Sequence, residues 1–177
     1  EFDQLTETYN CFNTETIGDA YIAVSGGPEG SDAATGAANI ASFALGAVDA
    51  VKRLEFQDEK KIKIRLGVAS GPVVAGVIGT VNVPKFTLFG ETTFQAEEME
   101  KTSLPLQVQC SEETMKLLRS NFRTNNSFQC KRRKEGNKNT WWIVRPSDGN
   151  ASDLDDIGPA LSSTEISTVN SSTLTQQ

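Results

Sequence analysis

The chain has 177 residues, with 23 acidic and 17 basic side chains, a formal net charge of −6 and a pI near 4.8. That balance disfavours a general nucleic-acid binder, which normally carries a basic excess. Histidine is absent altogether, which removes Ser-His-Asp and Cys-His nucleophilic sites, histidine-bearing zinc sites and a histidine proton shuttle.

Any chemistry must therefore run on carboxylates, lysine, arginine, backbone groups or a hard metal ion. Cys11, Cys110 and Cys130 are isolated, with no CxxC spacing, so they read as reduced thiols of a cytoplasmic domain. The Asn-x-Ser sequences at Asn125, Asn150 and Asn170 then read as chance matches to a glycan acceptor. The opening Glu1-Phe2-Asp3-Gln4 lacks the basic region of a signal peptide. The longest uncharged stretch, Gly67 to Pro84, is long enough to span a bilayer. It is broken by glycines, Pro72 and Asn82, however, and reads as two buried strands joined by a glycine turn. No membrane contact is expected from this segment, although the protein it belongs to may be tethered elsewhere and this be its cytosolic part.

In chain order, Leu5 to Tyr9 reads as the end of a helix. Phe12–Ile17 and Tyr21–Val24 read as strands around the tight turn Gly18-Asp19-Ala20. After a Gly-Gly-Pro loop, Ile40, Ala44, Val48 and Val51 keep a helical stripe to about Leu54. Lys61 to Val68 alternates as a half-buried strand, and Val73–Ile78 and Phe86–Phe89 supply two more. A helix from about Thr92 to Lys101 precedes a strand at Leu106–Val108. Ser111 caps a further helix with Met115, Leu118 and Phe122 inward. Phe128–Arg132 and Trp141–Val144 close as a hairpin. Strands and helices mixed with short connections imply an α+β sandwich.

The ordered domain is expected over residues 1–146. From Ser147 to Gln177 there is no Lys, Arg or aromatic residue, and 11 of the 31 positions are Ser or Thr. That composition predicts a disordered acidic tail. The tail holds five carboxylates, which leaves 17 basic against 18 acidic residues in the domain. The low pI therefore belongs to the tail and does not argue against an anionic ligand.

The segment with most chemical content is Glu15-Thr16-Ile17-Gly18-Asp19-Ala20. A Gly-Asp pair at a hairpin tip pushes a carboxylate beyond the sheet edge, where magnesium would take it together with substrate phosphates and water. Gly-Asp turns are also common as plain turns. The glycines at 67, 71, 76 and 79 permit close backbone approach. They fit neither a Walker sequence nor GxGxxG.

Taken together, five segments resemble the class III nucleotide cyclase catalytic domain, and guanylyl cyclases best among its members. They are Phe2-Asp3-xx-Thr6-Glu7-x-Tyr9, Glu15 to Tyr21, Val24-Ser25-Gly26, the run from Arg65 to Gly79, and Leu88-Phe89-Gly90. The resemblance implies a ferredoxin-like βαββαβ-type sandwich that dimerises head to tail, with its active site at the interface of two chains. It implies two Mg2+ or Mn2+ ions, GTP as substrate, and attack of a 3′-hydroxyl on the α-phosphate. Asp19 matches the second metal aspartate, and the Asp-Ile-x-x-Phe-Thr segment bearing the first is missing from this sequence. Glu15 matches the guanine-recognising position and Thr87 the second base-contacting one.

Phe94 and Glu98 replace the family's ribose-orienting asparagine and transition-state arginine. Gly36 stands where the family usually has histidine, and Lys138 is the candidate replacement for its phosphate-contacting lysine. The basic run Lys131–Lys134 reads as a solvated hairpin face rather than a nuclear-localisation or RNA patch. No intact catalytic residue is therefore expected on this chain's own base-binding half. The implied function is one half of a heterodimeric guanylyl cyclase, similar to an α-type subunit, which supplies Asp19 to a partner cyclase domain. The alternative is a pseudo-cyclase that dimerises without turnover.

Overall fold

The computed structural model describes residues 1–26, 32–53, 62–80, 83–121, 128–133 and 139–146, apart from the side chains at positions 15, 17, 80, 83–85, 120 and 121. Phe2–Thr8 forms α1, which leads into β1, Phe12–Ile17. A two-residue turn returns the chain as β2, Ala20–Val24, antiparallel to β1 with Ile17 opposite Ala20. Gly18 takes φ +62° there, a conformation glycine enters without a Cβ clash. The sequence places this hairpin correctly because its turn chemistry is local.

Ala33–Arg53 forms α2, the longest helix. It is apolar enough in composition to cross a membrane, yet most of it is buried inside the fold. Ala37, Ala41 and Ala44 are almost fully enclosed and let the helix backbone approach the sheet closely. Against it lies a four-stranded sheet in the order β3-β6-β8-β7, from Leu66–Val68, Val108–Cys110, Trp141–Val144 and Gln129–Arg132. β3 runs parallel to β6, and the other pairs are antiparallel. Val68, Val108, Ile143 and Cys130 join Leu45 and Val48 of α2 in one core cluster. The helix α4, Glu112–Asn121, adds Met115 and Leu118, and each buried side chain of this size contributes roughly 1.5–3 kcal/mol. All three cysteines are buried free thiols.

A second two-stranded ribbon, β4 (Val74–Thr80) with β5 (Val83–Phe89), leads through Gly90 into α3, Glu91–Thr102. α3 packs on β3 so closely that Gly67 faces its backbone without intervening side chains.

Three expectations from the pattern change. The strand expected from Lys61 begins only at Leu66, because only Leu66–Val68 pairs with β6, and Ile62 is exposed. The strand expected at Leu106–Val108 lies at Val108–Cys110. Leu106 adopts φ +59° in a turn and donates its N–H to Ile64 O at 2.7 Å. The stretch Gly67–Pro84 does not form two buried strands: it holds the end of β3, all of β4 and the start of β5, and Val74 and Val77 of β4 are each 69% exposed. Leu54, Phe122, Lys138, most of the Gly-Gly-Pro loop, the three Asn-x-Ser sequences and the tail from Ser147 lie outside the described residues.

Candidate active site

Asp19 stands exposed at the β1–β2 tip. The hairpin is held from behind. Tyr21 donates its hydroxyl to Asp3 Oδ1 at 2.8 Å, and its ring stacks on Phe43 of α2 with centroids 6.1 Å apart. A carboxylate on a fixed turn is a hard oxygen donor, the ligand type magnesium and manganese prefer. Asp19 therefore fits one position of such an ion's ligand set. Among the described residues no group of three or more acidic, cysteine or histidine side chains is arranged to hold a metal ion, at Asp19 or elsewhere.

Glu15 sits on β1 opposite Ile22, next to an irregularity in register between Asn13 and Glu15. Only its backbone is described. β1 packs beside β5, where Thr87 pairs with Gly76, so the two base-contacting candidates occupy neighbouring strands. The Thr87 hydroxyl oxygen is enclosed and has no hydrogen-bond partner among the described residues. An enclosed, unsatisfied hydroxyl is costly unless something meets it.

β5 feeds directly into α3, which carries the two departures from the family pattern. Phe94 projects from it 66% exposed. One turn on, Glu98 lines an open cleft of about 320 Å³ with Met99, Ser111, Glu112, Glu113 and Asn139. Glu98, Glu112 and Glu113 thus all border one cleft. Glu112 is partly offset by Lys116 at 3.3 Å and by Asn139, whose Nδ2 donates at 3.5 Å. The pattern of Ser111 followed by two glutamates signalled a helix cap, which the structure shows: Ser111 Oγ accepts from Thr114 N at 3.3 Å. That this same cap borders the Glu98 cleft depends on tertiary packing and carries no local signal.

The seat of α3 is well built even though its chemistry differs. Thr92 donates its hydroxyl to Pro72 O at 2.8 Å directly above Gly71. Arg65 holds Glu100 at 2.8 Å. A Cβ added at Gly36 would lie 3.4 Å from the Gly26 backbone, so the first turn of α2 lies against the chain just after β2.

The structure thus carries an exposed aspartate at a hairpin tip, with Glu15 and Thr87 on strands that pack side by side and a helix following the second of them. Residues 1–145 match the family model described as the adenylate and guanylate cyclase catalytic domain. Retinal guanylyl cyclase 1 of Rattus norvegicus is 36% identical over 151 residues, covering 81% of this chain. Receptor-type guanylate cyclase gcy-28 of Caenorhabditis elegans is 34% identical over 146 residues, covering 80% of it. The chain spans only 13% and 11% of those relatives.

Among solved structures, the guanylate cyclase domain of RhGC from Catenaria anguillulae, in complex with GTP, superposes with a TM-score of 0.69 at 29% identity. That match covers 81% of this chain and 78% of the other. The adenylyl cyclase CyaB from P. aeruginosa shares the fold at a TM-score of 0.69 and 19% identity, over 86% of this chain and 79% of that one. The chain belongs to the adenylate and guanylate cyclase catalytic domain family, and its relatives place it on the guanylyl side.

Proposed function

We propose that this chain is one half of a heterodimeric guanylyl cyclase, forming cGMP and pyrophosphate from GTP in a site shared with a second cyclase domain. Residues 1–146 would form the catalytic domain, cytoplasmic in location, followed by an acidic tail from Ser147. The observation that carries the reading is an asymmetry. Asp19 stays exposed on a braced hairpin, whereas Phe94 and Glu98 occupy α3 where asparagine and arginine belong.

Magnitude decides which half can work. At about 4 Å and an effective dielectric near 20, a unit charge pair is worth on the order of 4 kcal/mol. Arginine replaced by Glu98 turns a favourable term of that size into a comparable penalty on a polyphosphate. The half-site with Glu15, Thr87, Phe94 and Glu98 therefore does not turn over, and Asp19 serves the other site opposite a partner's asparagine and arginine. Two Mg2+ or Mn2+ ions, when bound, would supply Lewis-acid stabilisation of the developing charge. Asp19 holds one ligand position, and the hairpin keeps that carboxylate oriented. The apolar side chains exposed on β4 and β5, Val74, Val77, Phe86 and Phe89, support dimerisation, because patches of this kind mark interaction sites on soluble domains.

A second reading, a pseudo-cyclase that dimerises without turnover, draws on the single carboxylate at the tip. One experiment separates the two. The chain, fused behind the family's Asp-Ile-x-x-Phe-Thr segment, is mixed with a guanylyl cyclase domain that keeps asparagine and arginine, and cGMP is measured with GTP and Mn2+. The heterodimer reading expects no product from the chain alone, turnover from the mixture, and loss of turnover in Asp19→Ala. Ordinary turnover by the chain alone refutes it, and an inert mixture that still dimerises establishes the pseudo-cyclase.

A further inference from the structure

We propose that Asp3 and Tyr21 form a positioning pair that fixes the Asp19 tip in the orientation needed to receive a divalent cation, a proposal that rests on the reading of Asp19 as a metal ligand. A two-stranded ribbon is marginally stable by itself, and among the described residues β1 forms strand pairing with β2 alone. Its tip therefore takes its position from whatever holds the strands behind it. Tyr21 is two residues past Asp19, within about 7 Å along the chain.

That residue is fixed on three sides. Its hydroxyl donates to Asp3 Oδ1 at 2.8 Å across 18 residues of sequence. Its ring meets Phe2 edge-on at 5.5 Å and stacks on Phe43 at 6.1 Å, and Phe2 meets Phe43 at 6.5 Å. Asp3 is itself placed by α1, where Thr6 Oγ1 donates to Asp3 O at 2.7 Å. The linkage thus runs from α1 and α2 through one phenol to the strand that carries the tip. A hydrogen bond to a carboxylate is stronger than one between neutral groups.

The aromatic cluster and the hydrogen bond are separable. Tyr21→Phe keeps the rings and removes the bond, Asp3→Ala removes the acceptor, and Asp3→Asn keeps one. Hydrogen exchange of the full chain reads the tether without turnover. Amides of residues 15–20 should exchange about fivefold faster in Tyr21→Phe and Asp3→Ala, the factor a bond of ordinary net strength supports. They should stay near the wild-type rate in Asp3→Asn, with α2 unchanged in all three. In the mixture with a complementary cyclase domain, the Mn2+ concentration for half-maximal cGMP formation should rise about fivefold in the first two variants, while the rate at saturating Mn2+ is kept.

Unchanged hairpin exchange overturns the proposal, as does faster exchange spread through α2 or a lowered maximal rate with unaltered Mn2+ dependence. Asp19→Ala distinguishes the layers. Loss of turnover there with an unmoved hairpin in Tyr21→Phe leaves the metal reading standing and removes the tether. Turnover that survives Asp19→Ala removes the metal reading, and the positioning role with it.

Discussion

Gly67→Ala is the substitution whose effect the structure specifies most tightly. A methyl built on Gly67 falls inside contact distance of Glu100 N and Ala96 O and 2.7 Å from Met99 C, all main-chain atoms of α3. A flexible side chain could rotate away, but a helix backbone must translate as a unit, taking its Arg65–Glu100 ion pair and Thr92–Pro72 bond with it. Overpacking typically costs 1–3 kcal/mol, and contact with rigid backbone puts this site at about 3 kcal/mol. For a chain of this size each kcal/mol lowers Tm by roughly 2–4 °C, so thermal melting followed by circular dichroism should show a fall of roughly 6–12 °C. Gly76→Ala is the control. Its Cβ would meet nothing within 4 Å and its φ is not in the left-handed region, so reduced unfolded-state entropy should stabilise by about 0.4–1 kcal/mol. If Gly67→Ala melts at the wild-type temperature, or Gly76→Ala is destabilised as strongly, the packing argument for α3 is wrong.

Asp32 accepts from Thr35 N at 2.9 Å and Thr35 Oγ1 at 2.8 Å at the start of α2, and Asp32→Ala should cost about 1 kcal/mol in urea unfolding at neutral pH. The Thr35 backbone bond lowers the Asp32 carboxyl below its ordinary 3.8. The wild-type advantage is therefore full above that value, and it should vanish as pH falls through the lowered one. Burial raises the Cys11 thiol from 9.0 to about 11, so the stability tied to its neutral form is full below 9.0 and lost as pH climbs toward 11. Iodoacetamide near neutral pH should accordingly label Cys11 far more slowly in the native chain than in guanidinium, measured by mass spectrometry. Phe94→Asn with Glu98→Arg should give cGMP when mixed with a domain that retains both metal aspartates but lacks the asparagine and arginine, where the wild-type chain gives none. No product from that mixture, with dimerisation intact, removes the electrostatic account of the degenerate half-site.

What was legible in the sequence was local. The Gly18-Asp19 turn follows from a glycine free to take positive φ. The helices follow from apolar spacing at Ile40, Ala44 and Val48, and at Met115 and Leu118. Strand limits were less legible because pairing sets them. Ile62 and Ile64 continue the alternation of Leu66 and Val68, but only the latter pair has a partner in β6. The bond from Leu106 to Ile64 O postpones β6 to Val108. Burial of Val74 and Val77 was misread for the same reason: an apolar strand is buried only if a layer covers it, and none of the described residues does so. At the site, Asp19, Glu15 and Thr87 carry motif signals. The Tyr21–Asp3 bond and the cleft beside Glu98 join residues far apart in sequence and had none.

The structure also separates two things that a motif comparison merges, the identity of the residues at Phe94 and Glu98 and the seating of α3 itself. Were the helix without a role, its seat would be free to erode. Instead Gly67 admits the helix backbone, Gly71 clears the Thr92 hydroxyl, Thr92 ties to Pro72 O and Arg65 ties to Glu100. On this fixed platform Phe94 is 66% exposed, close in sequence to Phe89 at 47% and Phe86 at 42% on β5. A large aromatic side chain held in water gives up most of the roughly 1.5–3 kcal/mol its burial would contribute. Three such residues on one β-strand-to-helix unit make up apolar surface of the kind that a partner covers. In the proposed heterodimer that partner is the second cyclase domain, and the position that elsewhere orients a ribose becomes a contact with it. Phe94→Ser, measured by sedimentation with a complementary domain, should weaken association by at least tenfold, equivalent to ~1.4 kcal/mol, while Tm of the chain alone stays the same or rises. Unchanged association would mean that Phe94 faces solvent in the dimer as well, and that α3 is retained for packing alone.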